Sequence, residues 1–159
     1  MGLPAPHGSP ERRRLVTELD ALRTTLEAEH AAVYVYGLIG SRTSQAGEPD
    51  LYTAVRAAYE AHRDQRDALI GEIAAQGGDP VAAAPAYTAP VGLDTSEGRF
   101  AAALALEQAC AATYAALVGA STGAQRAAAV MLLNQAAVRE LSFRGTPEIF
   151  PGTDQYADR

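Results

Sequence analysis

The sequence predicts an all-α protein folded as a single four-helix bundle, and three observations lead to this prediction. Alanine dominates the 159 residues, and leucine, arginine and glutamate, which are good helix formers, are frequent. Apolar residues recur at steps of three and four in four segments, and no useful length alternates apolar and polar residues as a strand does. Two of the three connections are short and the middle one is long, as in two antiparallel helix hairpins joined by a crossover.

The first two helices are predicted to form a hairpin. Residues 1–9 are expected to be a disordered arm, and the first helix follows at about 10–39. Its apolar residues have helical spacing: Leu15, Leu19, Leu22, Leu26 and Val33. After a loop rich in Ser, Thr and Gly, the second helix is predicted at about 49–76, where Pro49 suits the first helical position.

The crossover and the second hairpin follow. Residues 77–93 have no periodicity and contain three prolines, and a loop of this length inside a compact domain needs a reason. A helix of about 27 residues is about 40 Å long, and seventeen extended residues reach about 56 Å. We therefore expect this segment to return along the whole bundle, followed by helices at about 95–119 and 124–142 and by an extended tail at 143–159.

Charge and composition narrow the expected environment and partners. The net charge of −6 argues against binding to nucleic acid or to an anionic membrane surface. We expect no membrane-spanning segment, which would need a run of about 18 apolar residues, and the single Cys110 cannot form an internal disulfide. The N-terminus has no apolar signal segment. We expect a cytoplasmic protein, and a homodimer, because symmetric dimers are the commonest oligomers.

Two related segments place a glutamate and a tyrosine on one helix face. Tyr34 follows Glu27 by seven residues, and Tyr114 follows Glu107 by the same number. Seven residues are about two helical turns, so each pair shares a face. His62 lies on the apolar stripe of the second helix. We therefore expect Glu27, His62 and Glu107 to meet in the core.

This pattern resembles the ferritin-like superfamily, and in particular an uncharacterised ferritin-like-domain family of high-GC bacteria that has no assigned activity. Di-iron members of the superfamily carry one Glu on the first and third helices and a Glu-x-x-His motif on the second and fourth. The resemblance assigns Glu27, His62 and Glu107 to three of the six ligand positions. The other three positions hold Tyr59, Gln135 and Val138.

Two main interpretations follow from this incomplete ligand set. We favour a metal-free polar network in a binding or structural module without enzymatic activity. Its further members would be Tyr34, Tyr114, Tyr59, Gln135, Arg63 and Arg139. The alternative is a protein that binds Fe, Mn or Zn at a reduced site and has an oxidase-type activity. Its ligands would be Glu27, His62 and Glu107, with His30 and Glu60 as weaker candidates.

A third possibility is a bundle that binds a small molecule. The expected pocket would be open to solvent and lined by Tyr34, Tyr114 and His62. The sequence does not identify the ligand.

Overall fold

The computed structural model describes residues 10–144, with side chains from Thr17 onward. This part of the chain contains four α-helices and no strand. They are α1 (Pro10–Ser41), α2 (Pro49–Ala75), α3 (Ser96–Ala120) and α4 (Gly123–Arg144). The predicted N-terminal arm and most of the predicted tail lie outside the described residues.

The helices α1 and α2 run antiparallel, because the end of one packs against the start of the other. Ile39 near the end of α1 shares an apolar cluster with Leu51 near the start of α2. At the opposite end of the pair, Leu22 shares a cluster with Ile73. The helices therefore form a hairpin, and α2 ends before Gly77, whose φ of +75° suits glycine at a helix terminus.

The helices α3 and α4 form a second antiparallel hairpin. Phe100 in the first turns of α3 meets Phe143 at the end of α4, with ring centroids 6.5 Å apart. Leu117, near the end of α3, belongs to the same apolar cluster as Ala129 of α4. The two hairpins pack together chiefly through α1 and α3.

The segment between α2 and α3 returns along α1 from one end of the bundle to the other. Hydrogen bonds, a ring contact and an ion pair attach it to successive turns of α1 and to Arg42, the residue that follows α1. In chain order they are Arg23–Asp79, His30–Val81, Tyr34–Tyr87 and Arg42–Asp94. As a result, α3 begins at the same end of the bundle as α2.

The start of α3 is fixed by a cap and an ion pair. Thr95 is the N-cap, and its side chain accepts a hydrogen bond from the Gly98 backbone N–H at 3.1 Å. Arg99 Nη2 lies 2.6 Å from both carboxylate oxygens of Glu48, and Arg99 Nη1 donates to the Leu93 carbonyl oxygen at 2.8 Å. The hydrogen bond from Arg99 lowers the pKa of Glu48. These contacts join the first loop, the crossover and α3.

One side of the bundle is open. Close packing joins α1 to α2, α1 to α3, and α3 to α4. In contrast, α2 and α4 do not pack closely against each other along their described lengths. The seam between these two helices therefore exposes part of the bundle interior.

The helix α3 is long and apolar enough to cross a membrane by length and composition, with a mean hydropathy of 1.4 over its most apolar window. The sequence patterns led us to expect no such helix. In the fold, α3 packs against both α1 and α4, and it buries the charged side chains of Arg99 and Glu107. The same composition is found in the central helix of a bundle, which is the position that α3 has in this protein.

Candidate functional site: an ionic network in the bundle core

Four charged side chains, one from each helix, meet in the middle of the bundle. Glu29 of α1, His62 of α2 and Glu107 of α3 have no solvent exposure. Arg139 of α4 reaches the same place from the open seam and retains 15% of its side-chain exposure. Charged side chains are rarely buried unless they are paired, so the geometry of this cluster decides whether the core is stable.

His62 bridges the two carboxylates. Its Nδ1 lies 2.7 Å from Glu29 Oε2, and its Nε2 lies 3.1 Å from Glu107 Oε1. An ionised carboxylate can only accept hydrogen bonds, so this geometry fits an imidazolium, in which both ring nitrogens donate. Burial alone lowers the pKa of His62, but the hydrogen bonds and charges of Glu107 and Glu29 outweigh burial and raise the pKa above its usual value.

Glu107 receives hydrogen bonds from three side chains. Besides His62, the Tyr36 hydroxyl donates to Oε1 at 2.5 Å, and Arg139 Nε donates to Oε2 at 2.9 Å. Burial raises the pKa of Glu107, but His62, Arg139 and Tyr36 together hold the pKa below its usual value. Glu107 is therefore a carboxylate at neutral pH, stabilised by two cations and a phenol.

The two tyrosines of the network are arranged crosswise. Tyr36 of α1 donates to Glu107 of α3, and Tyr114 of α3 donates to Glu29 of α1. Burial, followed by neighbouring ionisable groups that include these carboxylates, raises the pKa of both phenols. Both hydroxyls therefore keep their protons and act as donors, with His62 between the two Glu–Tyr pairs.

The core carboxylate of α1 lies two residues later than the sequence pattern predicted. Glu27 is exposed, and Glu29 takes the interior position. Tyr34 is likewise 40% exposed, whereas Tyr36 is buried. The reason is helical geometry: a step of three from the buried Leu26 stays on the same face and reaches Glu29, whereas a step of one rotates by about 100° to Glu27. The seven-residue spacing is kept, because Tyr36 also follows Glu29 by seven residues.

Four other predicted residues lie outside the ionic network. Tyr59 is half-buried, and the exposed Arg63 guanidinium lies 5.9 Å from its ring centroid. The His30 ring contacts a backbone carbonyl of the crossover at 3.1 Å. Glu60 forms a surface ion pair with Arg56. The structure therefore does not bring these four side chains to the centre.

Gln135 is connected to the network through Gln65, a residue that the sequence patterns did not single out. Gln65 Nε2 donates to Gln135 Oε1 at 3.0 Å, across the open seam. The Tyr114 hydroxyl lies 3.1 Å from Gln65 Oε1. The signal that could have identified Gln65 is helical spacing, because it follows His62 by three residues and so shares its buried face.

The expected solvent-open pocket at Tyr34, Tyr114 and His62 does not form. Tyr114 and His62 have no solvent exposure, and Tyr34 lies against Tyr87 of the crossover with ring centroids 5.4 Å apart. Two cavities lie instead between α2 and α4.

In the structure, the side chains of the core are arranged as an ion-pair network and not as a set of metal ligands. Both nitrogens of His62 are used by carboxylates, whereas a histidine that binds a metal needs one nitrogen free of a proton. The formal charges of Glu29 and Glu107 are already balanced by His62 and Arg139. In the part of the chain that the structure describes, no group of three or more His, Cys, Asp or Glu side chains has an arrangement suited to a metal ion.

Comparison with known proteins gives a family and a solved structure. A family model described as a domain of unknown function (DUF4439) matches residues 21–155. The crystal structure of a conserved hypothetical protein, rv2844, from Mycobacterium tuberculosis is similar, with a TM-score of 0.76 and 26% sequence identity over 83% of this chain and 91% of that chain. No curated protein matches significantly. Neither description names an activity.

Proposed function

The chain belongs to the DUF4439 family, a domain of unknown function, and we propose that it is a ferritin-like bundle in which an ionic network stands where di-iron members of the ferritin-like superfamily hold two iron ions. In this proposal the protein is a non-enzymatic binding module. The observation that carries it is the position of His62, whose two ring nitrogens face Glu29 and Glu107 at 2.7 Å and 3.1 Å.

The ferritin-like assignment is supported by which helix supplies each polar side chain. Di-iron bundles take one glutamate each from the first and third helices and a histidine from the second. In this chain Glu29, Glu107 and His62 come from those three helices. The fourth helix supplies Arg139, a permanent cation, where a di-iron protein would supply ligands.

The network also explains how the core tolerates its charges. A buried ion pair is costly unless its remaining hydrogen-bonding groups are satisfied. Glu107 accepts from Tyr36, His62 and Arg139, and Glu29 accepts from His62 and Tyr114. Because these partners come from all four helices, we propose that the network fixes the register of the bundle. The seam between α2 and α4 remains open for binding.

Metal analysis tests this proposal against the metal-dependent alternative. We expect protein purified without chelator to contain much less than one equivalent of Fe, Mn or Zn per chain. Adding each metal as its divalent ion should leave the thermal unfolding midpoint unchanged. A content of about one metal per chain that is lost in Glu107→Ala but kept in Glu27→Ala would contradict the proposal and favour the oxidase-type alternative.

We also propose that the protein is a homodimer, and the apolar side chains that α4 exposes on its outer face and at the edge of the seam support this. The stretch between Arg126 and Arg139 contains no charged residue. Large apolar side chains are exposed along the helix: Val130, Met131, Val138 and Leu141. An uncharged apolar face suits a two-fold interface, which must be complementary to itself.

A further inference from the structure

The open seam between α2 and α4 contains two adjoining cavities of about 570 Å³ and 460 Å³. Both are lined by Ala61, Gln135 and Arg139, so the cavities meet in the middle of the seam. The larger cavity has a volume typical of sites that bind small organic molecules, about 300 to 1,000 Å³. Its walls are mainly apolar, and the side chains of Ala68 and Ala128 are too short to fill it.

The polar groups in the larger cavity include few hydrogen-bond donors. Gln135 is exposed at its edge, with its amide oxygen already bonded to Gln65. The Arg139 guanidinium gives its Nε hydrogen to Glu107. Arg139 Nη2 is shielded from solvent and has no hydrogen-bond partner among residues 17–144. A donor without an acceptor is costly, and Arg139 lines the cavity, so a ligand oxygen that reaches the guanidinium would give it an acceptor.

The charges around the larger cavity disfavour an anion. Asp64 and Glu72 line it on the α2 side. The positive charge of Arg139 is already offset by Glu107, with an N–O distance of 2.9 Å. A carboxylate or phosphate in the cavity would therefore meet net negative charge, whereas a neutral carbonyl oxygen can accept hydrogen bonds without this repulsion.

We propose that this cavity binds a neutral, largely apolar small molecule whose carbonyl oxygen accepts hydrogen bonds from Gln135 and Arg139. The apolar body of the ligand lies against Leu69, Met131 and Leu132. This inference rests on the proposed role as a binding module and identifies the class of ligand that the module takes.

The probe for the first experiment is PRODAN, a neutral naphthalene ketone whose emission shifts when it enters an apolar site. We expect the full-length protein to bind it with a blue-shifted emission. Three competitors of similar size then test the ligand class. The neutral ketone 2-acetonaphthone should displace PRODAN best, 2-ethylnaphthalene should be weaker because it has no acceptor, and 2-naphthoate should be weakest because it is an anion.

Two substitutions test the location. Ala128→Leu fills the larger cavity from an exposed position of α4 and should weaken PRODAN binding by about tenfold or more. Gln135→Leu removes one donor and should reduce the preference for 2-acetonaphthone over 2-ethylnaphthalene. The matched control is Ala105→Leu on the exposed face of α3, which should bind PRODAN as the wild type does.

Three outcomes would overturn the inference. The first is that 2-naphthoate competes as well as 2-acetonaphthone, and the second is that Ala128→Leu leaves PRODAN binding unchanged. The third is that the wild-type protein is a dimer that does not bind PRODAN, and that Ala128→Leu dissociates the dimer and then allows PRODAN to bind. The last result would show that a second copy of the chain fills the seam. Metal content tests the core and PRODAN tests the seam, so failure of this inference is distinguishable from failure of the proposed metal-free network.

Discussion

At the scale of single residues, the core depends on a buried histidine that lies between two carboxylates. His62 is stabilised as a cation because carboxylates lie against both of its ring nitrogens. Breaking a buried charge network by removing one partner is strongly destabilising, because the remaining charge is left without compensation. Two predictions follow from the identity and the charge of these residues.

The first prediction compares two glutamates that lie two residues apart in α1. Glu29→Gln keeps the shape of the side chain but removes a charge beside His62, and it should lower the free energy of unfolding by about 3 kcal/mol. Glu27→Gln alters an exposed side chain and should change it by less than about 0.5 kcal/mol. Urea denaturation of both variants measures the difference. Equal effects would contradict the burial of Glu29 beside His62.

The second prediction concerns pH. The folded pKa of His62 is raised above its usual value of 6.5. Its contribution to stability is therefore complete below that pH and is lost as pH rises through the folded pKa. The folded pKa of Glu107 is lowered from 4.5. Its contribution is present above that pH and is lost as pH falls through the folded pKa. The free energy of unfolding should therefore decline on both sides of a maximum at about pH 5 to 6.

Urea denaturation from about pH 5 to about pH 9 tests the alkaline side of this profile. The groups that face His62 are Glu29, Glu107 and the ring of Tyr36, with Arg139 acting through Glu107. In Glu29→Gln the decline should begin at a lower pH, because one carboxylate that raises the pKa of His62 is gone. A wild-type stability that increases steadily from about pH 6 to about pH 9 would contradict a charged His62.

At this scale the sequence identified part of the network and missed the rest for a physical reason. The apolar stripe of α3 passes through Glu107 and Tyr114 at unambiguous steps of three and four, and both residues are buried. On α1 two carboxylates lie within one turn, so the register cannot be chosen from a Glu–Tyr spacing alone. The packing of α1 against α3 places Glu29, and not Glu27, where the Tyr114 hydroxyl can donate a hydrogen bond to it.

At the scale of helices and loops, the sequence marks several boundaries directly. Pro49 begins α2 and Gly77 follows its end, since each has a backbone preference that suits that position. The length of the crossover indicated that it returns along the bundle, and its contacts with α1 show that path. The N-cap of α3 cannot be chosen from the sequence alone, because Asp94 and Thr95 are both good N-cap residues. In the structure Thr95 is the N-cap, and Asp94 forms an ion pair with Arg42.

The third prediction compares two glycines inside helices. A Cβ at Gly98 would lie 1.9 Å from the Gly92 carbonyl oxygen, so Gly98→Ala must displace the crossover from the first turn of α3. We expect it to lower the free energy of unfolding by about 2 kcal/mol. A Cβ at Gly71 would meet no atom within 4 Å, so Gly71→Ala should stabilise α2 by about 0.5 to 1 kcal/mol. Thermal melts showing the same sign for both would contradict this close approach.

At the scale of the whole molecule, the proposed binding depends on the open side of the bundle between α2 and α4. Sequence patterns give the helices and their order, but they do not determine which pairs of helices pack closely. The side of α2 that faces the seam is rich in alanine, and such a surface is compatible either with close packing or with a cavity. The cavities therefore could not be predicted from the sequence.

The fourth prediction concerns the proposed dimer. Leu141 is 40% exposed on the outer face of α4 and does not line either seam cavity. Leu141→Glu would place two negative charges near each other across a two-fold interface, and light scattering after gel filtration should show a monomer where the wild type shows a dimer. Ala105→Glu on α3 is the matched control and should remain a dimer. A monomeric wild type would contradict the proposal.

The protonation of His62 is the most direct test of the central claim, that an imidazolium between Glu29 and Glu107 holds the core without a metal. Nitrogen-15 spectra of the histidine rings, assigned with His62→Gln, distinguish ring nitrogens that carry a proton from those that do not. We predict that both nitrogens of His62 carry protons at about pH 6 in protein prepared without added metal. A His62 with one nitrogen that carries no proton under these conditions, whether bare or bound to a metal, would contradict the claim.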